Sequence, residues 1–172
     1  MLAMSFRQPF ASLIAFGLTE FDERKWAPPQ TVIGQRVALH ASARPTWQEW
    51  AEAAGVEDAG RIGDALLGKL PPSGWDAQRM PTGMILGTAH LAGAYRISDQ
   101  KRISGRVRLS GAVRGSAKLW EVQDDGFGEY APGTWLLHFT DVKLLPVPMR
   151  AKGGLGFWDW EPPPVTAASE SV

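Results

Sequence analysis

Asp22, Arg24 and Trp26 stand at alternate positions of the run from Glu20 to Trp26, so in an extended strand a carboxylate, a guanidinium and an indole share one face. Same-face neighbours on a strand lie about 7 Å apart, close enough for Asp22 and Arg24 to pair or to flank one polar ligand. The carboxylate accepts hydrogen bonds from the amino edge of a base, the guanidinium donates to a carbonyl or a phosphate, and the indole stacks on a ring. Asp22 can also serve as a general base, whereas Arg24 stays protonated at any usable pH and can only orient an anion. Phe21, Glu23 and Lys25 fall on the opposite face.

A short helix must place this strand. Pro9 suits a first helical position, Phe10, Leu13, Ile14 and Phe16 form one apolar stripe, and Gly17 is placed to end it. Arg7 and Gln8 precede the helix, where unpaired backbone amides favour an anion. After the turn at Ala27, Pro28 and Pro29, the segment Gln35–Ala41 alternates as a second strand and carries His40 among core positions, a place for a structural histidine. Thr46 and Glu49 have capping-box spacing for a helix ending at Gly55, and a second helical piece spans about 58–67. This makes a helical insertion at about 45–80, with Trp47, Trp50 and Trp75 expected to pack it onto the rest.

The run from Gly83 to Leu91 reads as a central strand in which Gly87 marks a bend or a close backbone approach. The turn-rich stretch 128–133 leads to a strand over 134–139, and a last strand over about 142–145 runs into Pro146 and Pro148. The glycines and indoles of 153–160 are expected to plug one end of a barrel. From 162 to 172 the composition predicts a disordered tail. The chain thus reads as one α+β domain over 1–161, a small, mostly antiparallel β-barrel decorated by two or three helices.

The 172 residues contain 18 basic and 18 acidic side chains and no cysteine. Disulfides, thiol nucleophiles and thiolate metal sites are thereby excluded. His40, His90 and His138 are scattered singly, without ligand spacing, so neither metal nor cofactor is expected. No stretch of about 18 uncharged apolar residues occurs, and the chain reads as soluble and cytoplasmic with no membrane partner. The zero net charge conceals an asymmetry. Between Arg96 and Lys118 there are seven basic residues and one acid, Asp99, a local balance of +6. The segment, with its interleaved glycines and serines, reads as a mobile basic arm in which Arg102, Arg106 and Arg108 meet phosphates.

Six pieces in order, the opening SFRQPFASLIAFG, then DERKW, ALHAS, GMILGTAHL, GEYAPGTWLL and LPVPMRAKGGLGFWDW, resemble the ASCH (activating signal cointegrator homology) domain family. The resemblance spans nearly all of the chain outside the helical insertion and the tail. It implies a PUA-like β-barrel with a cleft beside the first helix and strand that binds RNA or a modified nucleobase. Some members of the family resemble amidohydrolases that remove acyl groups from the exocyclic amine of cytidine with a lysine, a threonine and a glutamate. Thr19 stands here at the lysine's place and Asp22 at the threonine's, so two of the three reacting groups differ. The resemblance also admits ribonuclease activity.

The reading reached is binding of RNA, single-stranded nucleic acid or a modified nucleoside in a cleft walled by Arg7, Gln8, Asp22, Arg24 and Glu129, with Trp26 or Tyr130 stacking a base. The alternative is a hydrolase in the same cleft, a ribonuclease or an amidohydrolase acting on acylated cytidines. Asp22, Thr19 and Glu129 would then be its reacting groups, with Asp125 able to share the work of Glu129.

Overall fold

The alternation of Leu2, Met4 and Phe6 with Ala3 and Ser5 makes the first strand, β1 (Leu2–Phe6), which the sequence reading passed over. The structure, a computed structural model, describes residues 1–69, 80–103, 106–113, 121–123 and 125–162. The other strands are β2 (Phe21–Arg24), β3 (Arg36–Ala41), β4 (Met84–Ile103), β5 (Arg106–Val113), β6 (Glu121–Gln123), β7 (Trp135–Arg150) and β8 (Phe157–Asp159). Three α-helices, α1 (Phe10–Ala15), α2 (Trp47–Ala54) and α3 (Val56–Leu67), complete the α+β architecture. None of these helices is long and apolar enough to cross a membrane.

The sheet runs β2-β7-β4-β3-β1-β8, with β5 and β6 extending it beyond the C-terminal half of β4. It curls into a half-barrel. Its ladders are antiparallel except for β1 beside β3, which run parallel from Ala3↔Ala38 to Phe6↔Ala41. The concave face buries Met4, Phe6, Val37, Leu39, Leu86, Leu91, Leu137 and Phe139 against Ala11, Ile14 and Ala15 of α1. Each such side chain contributes about 1.5–3 kcal/mol by leaving water. Phe6 meets Phe139 edge-on at 5.5 Å, which fixes how β1 and β7 face each other across this core.

The capping box of α2 forms as its spacing predicts: Glu49 N donates to the Thr46 hydroxyl and Thr46 N to Glu49 Oε2, and Gly55 takes a positive φ of 88° between the two helices. Trp47 and Trp50 stack at 5.3 Å and pack with Leu13, Phe10, Ile62 and Leu66, so the insertion lies against α1. Trp75 and Trp120 lie outside the described residues, as does the tail from 163 onward.

Three expectations need correction. The two strands predicted over 134–139 and 142–145 are one strand, β7, bent where Asp141 adopts φ 47° and where the register with β4 slips. The basic segment is largely built into the sheet rather than loose: Arg96↔Ser110, Ile97↔Leu109 and Ile103↔Arg106 pair β4 with β5. Arg114 and Lys118 fall outside the described residues. The closing indoles do not plug a barrel end. Trp158 and Trp160 instead cover the opposite face of the sheet, packing with Ala3, Ala38 and Ile85.

His40 belongs to that outer layer and is structural. Its Nε2 lies 3.2 Å from the Ala151 carbonyl and its Nδ1 3.0 Å from the Ser5 hydroxyl, which also accepts from Trp158 Nε1 at 3.1 Å. Only the tautomer with hydrogen on Nε2 gives the carbonyl a donor, so Nδ1 is an acceptor and shares the single Ser5 hydroxyl hydrogen with the Gly154 carbonyl, 3.1 Å from the Ser5 oxygen. Burial pushes the imidazole below its ordinary pKa, in keeping with this neutral form.

Gly87 is the close approach its place in a strand suggested. A Cβ there would stand 2.5 Å from the Lys143 carbonyl oxygen and 3.1 Å from Leu144 Cα, both backbone atoms of the neighbouring strand. Gly87→Ala is therefore expected to destabilise the protein by about 1–3 kcal/mol, measured as a lower urea midpoint with an unchanged slope. An unchanged midpoint would show that β7 can move away at no cost.

Candidate functional site

The order of elements brings β2 and the loop 125–131 to one side of a cleft of about 800 Å³, with α1, α2 and α3 on the other. Phe10, Trp50, Ile62 and Phe127 supply apolar surface, while Asp22, Arg24, Lys25, Asp58, Arg61 and Glu129 supply charge. The cleft thus lies beside α1 and β2.

At one wall lies the pair that alternation placed on one face of β2. Arg24 Nε donates to Asp22 Oδ2 at 2.5 Å, and Arg24 Nη2 donates to the Ser5 carbonyl at 3.0 Å. The guanidinium sits 5.5 Å from the Phe6 ring centroid and 6.0 Å from that of Trp26. Among the described residues Asp22 is bonded through Oδ2 only, which leaves Oδ1 as a second acceptor on a side chain that lines the cleft and keeps 10% of its surface exposed. Burial raises the Asp22 carboxyl above the ordinary carboxylate value, and the adjacent Arg24 charge and hydrogen bond offset this only in part.

The opposite face of β2 does a different job. Glu23 accepts from Tyr130 N at 2.7 Å, Ala131 N at 2.8 Å and the Thr134 hydroxyl at 2.7 Å. Asp125 works in parallel from the loop side. It accepts from the Thr19 hydroxyl at 2.5 Å, the Tyr130 hydroxyl at 2.6 Å and Phe127 N at 2.9 Å. Two carboxylates thus bolt the 125–134 loop onto the start and middle of β2, which sets the position of Phe127 and Glu129 at the lip. Charge-assisted bonds of this kind each contribute about 1.5–3 kcal/mol.

Several predicted site residues turn out to be structural. Gln8 is fully buried: its amide donates to the Pro81 carbonyl, and its Oε1 accepts from Ser12 N and Oγ. It therefore occupies one of the helix amides expected to meet an anion. Arg7 is exposed but does not line the cleft. Trp26 is partly buried, edge-on to Phe157 at 6.0 Å, and lies outside the cleft. Tyr130 is 2% exposed and its hydroxyl is held by Asp125, so its ring is no open stacking platform. Thr19 is likewise buried between Phe21 N and Asp125, which leaves no accessible nucleophile, and Asp125 has its oxygens committed. Asp22, Arg24 and Glu129 do converge on the cleft. Arg102, Arg106 and Arg108 belong to β4 and β5, and their side chains lie outside what the structure describes.

The aromatic wall was missed. Trp50 is tied to Phe10 edge-on at 6.2 Å, and Arg61 lies over Phe127 at 5.6 Å, so α2 and α3 carry cleft-lining groups as well as packing ones. The signal available was Trp47 and Trp50 of the insertion, expected to pack it onto the rest, with stacking on a base as the alternative for any indole left exposed. No protein-family model matches the chain, and no curated protein matches it significantly.

Because the Asp22 pKa is raised on folding, the folded protein holds that proton more tightly than the unfolded chain. The contribution of Asp22 to stability is therefore full below the ordinary carboxylate pKa of about 4 and is lost as pH rises through the raised value. Urea titrations of the natural protein and Asp22→Asn from pH 4 to 7 are expected to show the natural protein losing stability relative to the variant as pH rises. The opposite slope would mean that attraction to Arg24 outweighs burial.

Proposed function

We propose that this protein binds a nucleobase in the cleft, carried by RNA or by a modified nucleotide, and that the curled sheet is a PUA-like barrel of the ASCH type. The observation that carries the reading is the Asp22–Arg24 pair set at the wall of a cleft whose other wall is aromatic. A base has two apolar faces and an edge of alternating donors and acceptors. Trp50, Phe10 and Phe127 offer surfaces for the faces, and Asp22 Oδ1 offers an acceptor for an amino group at the edge. The motif resemblance, which implies a ligand beside the first helix and strand, supports the same place. The basic β4–β5 segment then serves phosphates outside the cleft.

A second reading, hydrolysis, rests on Asp22 alone. A buried carboxyl whose pKa is raised is poised to exchange a proton in a cleft. Thr19 has no part in it, and of the other carboxylates that line the cleft, Glu23, Asp58 and Glu129, only Glu129 has no hydrogen bond or ion pair with another described residue.

Fluorescent single-stranded RNA and a panel of nucleosides that includes N4-acetylcytidine test both readings. Under the binding reading, intact ligand binds, Trp50→Ala weakens it by about 1–3 kcal/mol, and Asp22→Asn weakens it by a similar amount. No binding at low salt, or binding indifferent to both substitutions, would sink it. Shortened RNA or released acyl group, lost in Asp22→Asn while binding persists, would establish hydrolysis instead.

A further inference from the structure

Two aliphatic side chains stand almost wholly in water, Leu155 with 98% of its surface exposed and Val56 with 93%. Single exposed aliphatics are ordinary, so the surroundings decide whether one has a use. Val56 opens α3 and is followed directly by Glu57 and Asp58. Leu155 belongs to the loop 151–156, which leaves β7 and crosses the outer face of the sheet to β8. The base of that loop is pinned. Ala151 N donates to the Gly83 carbonyl at 3.1 Å, His40 Nε2 lies 3.2 Å from the Ala151 carbonyl, and the Gly154 carbonyl lies 3.1 Å from the Ser5 hydroxyl. Only glycine can lie so close: a Cβ at Gly153 would stand 2.4 Å from His40 Cε1, and one at Gly154 2.9 Å from Trp158 Cγ. The loop is thus held down beside a leucine that touches almost nothing.

Cations come from the neighbouring strand ends. Phe6 pairs with Ala41, Ala41 with Met84 and Met84 with Arg150, so β1, β3, β4 and β7 stand level along about 14 Å of the sheet's end. Arg7 follows β1, Arg44 lies just past β3, Arg150 ends β7, and Lys152 is in the loop itself. All four are exposed. Arg44 faces Glu49 at 3.4 Å, whereas the side chains of Arg7, Arg150 and Lys152 have no hydrogen bond or ion pair with another described residue. Asp159, the carboxylate of β8, stands opposite Leu2, at the far end of the ladder with β1. Neither Leu155 nor any of these four cations lines the cleft.

Cations spread along an edge attract an anionic surface, and a projecting aliphatic gains only where the partner has an apolar interior to receive it. A second copy presenting the same face would bring like charges together. A nucleic acid would meet the cations but leave Leu155 in water. We propose that this end of the sheet docks on an anionic phospholipid surface, with Leu155 entering the acyl boundary and Arg7, Arg150 and Lys152 meeting the head groups. Phe157 and Trp158, half-buried where the loop enters β8, then lie near head-group depth, where aromatic rings are favoured. The contact is peripheral and reversible, since a single side chain inserts. The expectation of no membrane partner rested on the lack of a long apolar run, which bears on spanning a bilayer and not on resting against one.

Co-sedimentation of the full chain with vesicles of phosphatidylcholine, alone or with about 30% phosphatidylserine, is the test. Binding to the mixed vesicles is expected to be about 10-fold tighter than to phosphatidylcholine alone and to weaken as salt rises. Leu155→Ser is expected to weaken it about 10-fold, while Val56→Ser, which alters an equally exposed side chain among carboxylates, changes it less than about 2-fold. Both replace exposed groups, so the urea midpoint stays in place. Arg150→Glu with Lys152→Glu is expected to abolish the preference for phosphatidylserine. Absence of binding to mixed vesicles at low salt overturns the inference, as does binding that Leu155→Ser leaves unchanged or that Val56→Ser weakens as much. Single-stranded RNA bound in place of vesicles, lost on Arg150→Glu with Lys152→Glu and indifferent to Leu155→Ser, would overturn it too and assign the cations to a nucleic acid.

Discussion

A curled sheet that stops short of closing leaves two edges to be reconciled, and here one arginine reconciles them. The described strands run from β2 at one end of the order to β8 at the other, with no ladder between the two ends. Arg24 reaches from β2 to the Ser5 carbonyl at the end of β1, a group beyond the three residues that β8 pairs. Its guanidinium lies over Phe6 and beside Trp26, and Trp26 in turn meets Phe157 of β8. A cation drawn into that position needs an anion beside it, and Asp22 is the anion. Removing one partner of a fully buried pair costs about 3–5 kcal/mol; with Arg24 26% exposed the cost here falls below that range. The pair at the wall of the cleft is thus also the clasp of the half-barrel, and the raised Asp22 pKa is the consequence of placing a carboxylate where the fold needs it dry.

The neighbouring carboxylates follow the same economy on the other face of β2. Glu23 and Asp125 each collect three donors, most of them from the 125–134 loop. A loop satisfied mainly by water would leave the cleft lip mobile. Bonded in this way, its backbone is held even at Tyr130, which sits at φ 50°, a conformation that side-chain-bearing residues adopt only when surroundings compensate. The lip therefore presents Glu129 and Phe127 from a rigid base, which the proposed recognition of a base would demand.

Much of this was legible in local pattern and much was not, and the division has a physical cause. Short-range signals read correctly: Thr46 and Glu49 as a capping box, Gly17 at φ 67° past the end of α1, alternation from Glu20 to Trp26, Gly87 as a close approach. Each depends on residues within one turn or one neighbouring strand. The errors arose where a partner distant in the chain decides. Gln8 looks like a polar residue at a helix start until Pro81 arrives, 73 residues later, to bury it. Tyr130 looks like an exposed ring until β2 supplies Glu23 for its amide. Pro146 and Pro148 suggested a strand's end, yet β7 continues to Arg150. β2 covers the other edge of β7 only over Trp135–His138, so beyond that point missing amide hydrogens on that edge cost nothing.

Charge gives the last such contrast. A window count along the chain finds one basic stretch and suggests one phosphate-binding function. In three dimensions the described part of that stretch, 96–103 and 106–113, continues the sheet through β4 and β5, while the described lining of the cleft comes from β2, the helices and the 125–131 loop, with signs nearly balanced. The two features are separable because a sheet carries charge along its length independently of what its curled end encloses. A strand's worth of arginine attracts any polyanion at long range, and it does so whatever the base. Choosing among rings, as the proposed function would require, takes short-range groups oriented in advance, and Arg24, Glu23 and Asp125 already hold Asp22 and the 125–134 loop in place.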